Sequence, residues 1–77
     1  MALLLRYRLE AATPSTVTYR WGTGQDELPW RVTVDPTDPE GPPTGDGEPR
    51  DRGTVAGRVV LRMIREGAWP TGGAIQS

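Results

Sequence analysis

From Leu3 to Glu10 apolar and polar positions alternate: Leu3, Leu5, Tyr7 and Leu9 fall on one side, Leu4, Arg6, Arg8 and Glu10 on the other. A period of two predicts a half-buried strand. Pro14 interrupts it, because proline brings no N–H to a ladder. Ser15 to Trp21 resumes the alternation, with Val17, Tyr19 and Trp21 opposite Thr16, Thr18 and Arg20. β-Branched and aromatic side chains suit a pleated surface. Gly22 and Gly24 predict a loop, and Trp30 to Asp35 reads as a third strand with Trp30, Val32 and Val34 inward. Pro29 and Pro36 bracket that strand, as expected of a sheet edge.

The period then changes. Between Arg52 and Glu66, Val55, Ala56, Val59, Val60, Met63 and Ile64 recur at helical spacing, with Arg58, Arg62 and Arg65 opposite. Asp51 is placed to cap the start, Gly67 suits a left-handed end, and Pro70 forbids continuation. The chain therefore reads as a single α+β domain over residues 1–77. Its architecture is β-β-β-α: a three-stranded antiparallel meander packed on one C-terminal helix. The expected core comprises Leu3, Leu5, Tyr7, Leu9, Val17, Tyr19, Trp21, Trp30, Val32, Val34, Val55, Val59, Val60, Met63, Ile64 and Trp69. Gly73 to Ile75 is a candidate for one more short strand on a free edge.

Composition changes this picture at one place. Asp35 to Arg50 holds five prolines, three glycines and five carboxylates among its residues. It offers no apolar group but proline, so residues 36–50 are expected to form a flexible, disordered acidic insert between the third strand and the helix. That leaves about 60 residues for the fold, a size at which a domain is marginally stable. With no cysteine, no disulfide reinforces it. The net charge is −1 overall, with −4 in the insert and +3 in the remainder. All nine basic residues are arginine, and lysine, asparagine and phenylalanine are missing. This bias against AT-rich codons points to a high-GC bacterial genome. The apolar start of the chain is broken by Arg6 and Arg8, too soon for a signal peptide or a membrane span, so a cytoplasmic location is expected.

Catalysis has little to work with. The chain lacks histidine, cysteine and lysine, and its two serines, Ser15 and Ser77, have no base near them in sequence. An enzyme is not expected, nor is a cofactor. The acids of the insert do not follow the spacing of a calcium loop, so no metal site is expected either.

Two surfaces remain. Pairing Tyr7 with Tyr19 and Tyr19 with Val32 places Arg6, Arg20 and Arg31 in one row of the outer sheet face, with Arg8, Thr18 and Thr33 in the next. Such a face suits phosphate or carboxylate groups, though Glu10 and the acidic insert are available to neutralise it. The first strand is the other surface. Leu3, Leu4 and Leu5 begin an edge without proline or inward charge, which predicts strand pairing with another protein or with a second copy. An accessory or regulatory protein–protein interaction module is the preferred reading. The alternative is a nucleic-acid-binding βββα module using Arg6, Arg8, Arg20 and Arg31. In element order the chain resembles the plant AP2-type domains, which read DNA with arginine and tryptophan on a three-stranded sheet. It shares none of their motifs, and Trp21 and Trp30 belong to its core face.

Overall fold

A computed structural model describes residues 4–24 and 27–76. Strands β1 (Leu4–Ala12), β2 (Val17–Gly22) and β3 (Trp30–Val34) are followed by a two-residue strand β4 (Thr44–Gly45), the helix α1 (Pro49–Glu66) and strand β5 (Gly72–Gln76). They form one antiparallel sheet of order β4-β3-β2-β1-β5, with α1 across one face. The α+β class and the meander agree with the pattern in the sequence. The number of strands does not, because both meander edges are extended by short segments that carry almost no apolar signal.

The core face holds Leu5, Tyr7, Val17, Tyr19, Trp21, Val32 and Val34 against Val55, Ala56 and Val59 of the helix, with Ile75 from β5. Leu9, Trp30, Val60 and Trp69 pack at its margin. Ile64, expected inside, is 64 % exposed: the helix turns its 55–56–59 stripe to the sheet and leaves Leu61 and Ile64 outside. Leu3 lies outside the described residues.

Three corrections concern the strands. The β1–β2 register pairs Tyr7 with Trp21 and Leu9 with Tyr19, two residues from the expected alignment, while β2 and β3 pair Tyr19 with Val32 as expected. This register lets Tyr7 and Tyr19 meet edge to face at 5.8 Å. The first strand is not a free edge, because β5 runs along it from Leu4↔Gln76 to Arg8↔Gly72. Leu5 is therefore core and Leu4 is paired, so neither begins an open edge. Nor is β3 an edge, since β4 covers part of its outer side.

The insert is likewise not featureless. Asp35 accepts from the Thr37 N–H at 2.8 Å and the Thr37 hydroxyl at 2.6 Å, and turns follow at Asp38 and Gly41. Beyond Pro43 the chain pairs with β3, and the Asp46 N–H donates to the Arg31 carbonyl at 2.9 Å. Gly47, at φ 85°, passes over Trp21 and Trp30, whose rings lie 4.8 Å apart. Helix α1 then starts earlier than expected, with Glu48 rather than Asp51 as its cap, accepting from the Arg50 N–H at 2.7 Å. Backbone hydrogen bonds to β3 and the ring faces give this segment the partners that its own side chains lack.

Trp21 is fully buried, so Trp21→Ala is expected to cost ~3–5 kcal/mol, most of the stability of so small a domain. Gly47→Ala combines a left-handed backbone with a methyl group driven into both indoles, and is expected to cost about 2–4 kcal/mol. Denaturant melts check both. Two wild-type-like curves would show that the insert does not close over these rings.

Candidate functional site

Helix α1 covers only one side of the sheet. The other side carries the arginines of β1, β2 and β3, and the observed register rearranges them. Arg8, Arg20 and Arg31 stand side by side, whereas Arg6 stands opposite Gly22 on one side and Ala74 on the other. Like charges in adjacent strands repel. The fold answers with an irregularity: the β1–β2 register shifts between Leu9 and Ala11, so that Glu10 is the extra residue. Its carboxylate takes two hydrogen bonds from Arg31, at 2.8 and 3.2 Å, and lies 3.9 Å from Arg20. Arg20 also donates to the Leu28 carbonyl at 2.8 Å, and the Thr18 and Thr33 hydroxyls bond each other at 3.0 Å. Four of the six residues expected to form an anion surface, Arg20, Arg31, Thr18 and Thr33, are thus engaged within the sheet.

The β1–β5 side differs. Arg8 is exposed, with no hydrogen-bond or ion-pair partner among the described residues. Directly opposite it in β5 is Gly72, and opposite Arg6 is Ala74. Directly paired residues share a sheet face, so the outer side of β5 is almost bare. The result is an open concavity of about 480 Å³ bordered by Arg6, Arg8 and Leu28, with Gly72 and Ala74 in its lining. Among the expected residues, the structure sets Arg6 and Arg8 at this concavity and sets Arg20 and Arg31 apart from it. The sequence marked Gly73 to Ile75 as a candidate edge strand, which β5 bears out, but not its part as the floor of this concavity. The available signal was Gly72-Gly73-Ala74 itself, a run too small to bury anything yet able to pair.

Beneath this site the strand is fixed from the core side. The Arg62 guanidinium donates to the Tyr7 hydroxyl and the Gly72 carbonyl, each at 3.0 Å. The Tyr19 hydroxyl, buried and with its phenol pushed above the usual range by burial and by the neighbouring Tyr7, donates to the Pro70 carbonyl at 2.6 Å. A second concavity, about 350 Å³, separates the insert from the helix at Gly53, Gly57 and Val60, with Glu40 as its one charged lining residue. It offers shape without directional chemistry. Among the described residues no cluster of acids is placed to hold a metal ion, and no helix is long and apolar enough to cross a membrane. Comparison with protein-family models, with curated proteins and with solved structures finds no match.

The Arg31 hydrogen bonds, aided by the charges of Arg31 and Arg20, hold the Glu10 carboxyl below the usual glutamate range. A carboxyl depressed in the folded state leaves the unfolded chain binding more protons in acid. Its stabilising effect is therefore complete above the ordinary glutamate value and is lost as pH falls through the lowered one. A carbon-detected NMR titration is expected to place the Glu10 midpoint below about 4.3 and to move it upward in Arg31→Gln. An unmoved midpoint would mean that the pair does not form in solution.

Proposed function

We propose that this chain is an interaction module without catalytic activity, whose outer sheet face receives a carboxylate-bearing segment of another protein at Arg8 and Arg6. The observation that carries this reading is the contrast along one row of the sheet. Arg20 and Arg31 are tied to Glu10 and Leu28, whereas Arg8 has no partner among the described residues and stands beside a concavity floored by glycine and alanine. An exposed guanidinium forms a planar fork of donors that matches a carboxylate. Leu28 adds an apolar wall against which the stem of an acidic side chain can lie.

A nucleic acid would use the same arginines but finds less support. Trp21 and Trp30 pack with the core, so the arginine-bearing side has no aromatic surface on which bases could stack. The net charge of −1 supplies no long-range attraction for a phosphate backbone. A homodimer through the first strand finds that edge already filled by β5.

Calorimetric titration with a glutamate-rich peptide and with a mixed-sequence DNA duplex separates these readings. The peptide is expected to bind, more weakly as salt is added, and at least tenfold more weakly in Arg8→Glu. Arg58→Glu, on the exposed helix surface, is expected to leave binding within a factor of about two. Binding of the duplex alone would replace the proposal with the nucleic-acid reading, and binding of neither would remove it.

A further inference from the structure

The short strand that closes β1 creates a new edge of its own. The Leu9 N–H donates to the Thr71 carbonyl at 2.9 Å, which fixes the phase of the β1–β5 ladder. In an antiparallel pair the residues that exchange hydrogen bonds alternate with residues whose backbone groups point away. Leu9–Thr71, Tyr7–Gly73 and Leu5–Ile75 are therefore the bonded pairs, and Gly72, Ala74 and Gln76 direct their N–H and C=O groups outward. The Gly72 carbonyl confirms this phase, because it is taken by Arg62 from the helix rather than by β1. The Ala74 N–H and C=O are then an intact rung with no strand beside it among the described residues, where β5 is the last strand of the sheet.

Apart from the Arg62 guanidinium on the Gly72 carbonyl, this edge lacks the usual protection. From Gly72 to Gln76 it has no proline, no charge and no irregularity of register. The opposite edge, β4, is only two residues long and is preceded by Pro42 and Pro43. The outer face of β5 also matters. A side chain paired with Gly72 from an added strand would point to that face and find bare backbone between itself and Arg8.

From these placements we infer that the free edge of β5 takes the acidic partner segment as a sixth strand, with a carboxylate laid over Gly72 against Arg8. The inference rests on the proposed acidic partner and specifies its conformation. Backbone pairing at Ala74 supplies affinity for any extended chain, and Arg8 selects for an acid at one alternate position. A second copy of this chain is the poorer occupant. Two β5 strands side by side would turn Arg8 of each copy toward the other across the glycine floor, with no acid between them.

The probe is a nine-residue peptide alternating valine and glutamate. A control peptide carries the same glutamates with proline in place of valine, which cannot pair as a strand. Titrations followed by amide NMR are expected to show the alternating peptide binding at least tenfold more tightly than the control, with the largest shifts at Gly72, Ala74 and Gln76. Ala74→Pro removes only an outward N–H and is expected to weaken the alternating peptide at least tenfold. Ala74→Glu keeps every backbone donor, places a carboxylate of the chain's own on the floor, and is expected to do the same. Equal binding of both peptides, or an Ala74→Pro protein that binds like wild type, would overturn strand addition and leave the Arg8 site standing. Failure of both peptides to bind would overturn both.

Discussion

Strand β1 is hydrogen-bonded on both sides only because the chain leaves the helix at Gly67, turns through Pro70 and lays Gly72–Gln76 along it. Most of the molecule's organisation follows from that return. It makes β1 an interior strand, so a half-buried leucine-rich segment is not left open to other chains. It brings Ile75 into the core, and it gives Arg62 a carbonyl to grip beside the Tyr7 hydroxyl. Each hydrogen bond of this kind contributes about 0.5–1.5 kcal/mol net, a large share of what a domain this small has.

The same return shapes the outer face. Gly72 and Ala74 put almost no side chain at the two positions opposite Arg8 and Arg6. Larger residues there would have filled the concavity beside Arg8, whereas Glu10 neutralises Arg31 and Arg20 farther along the row. The sheet thus carries two electrostatic regimes a few strands apart. One is closed by an acid set at an irregularity in the ladder. The other leaves Arg8 beside the concavity that Arg6 and Arg8 border.

Periodicity made three strands and the helix legible, since Val17, Tyr19, Trp21, Val32 and Val34 must share a face for the alternation to make sense. It also separated the arginine-bearing side from the tryptophans. What stayed hidden was governed by backbone rather than side chains. Thr44-Gly45 has little to bury, and its pairing is set by what its neighbours offer, whereas Gly73 to Ile75 did read as a candidate edge strand. The register of β1 on β2 was hidden for a related reason. A shift by two residues keeps every side chain on its face, so hydrophobic pattern cannot distinguish the two alignments, and the extra residue at Glu10 leaves no compositional mark. Glu48 displaced Asp51 as the helix cap because Pro49 is well suited to the first helical position, a signal masked by its place in a proline-rich run.

Native-state hydrogen exchange along β1 and β5 addresses the central claim most directly. If β5 closes the first strand in the phase described, the amides of Leu5, Tyr7 and Leu9 exchange as slowly as those of β2. Gly73 and Ile75 are protected with them, while Ala74 exchanges fast. Rapid exchange at Tyr7 and Leu9 together with protection at Ala74 would contradict the account, since it would leave β1 open and place the free edge elsewhere.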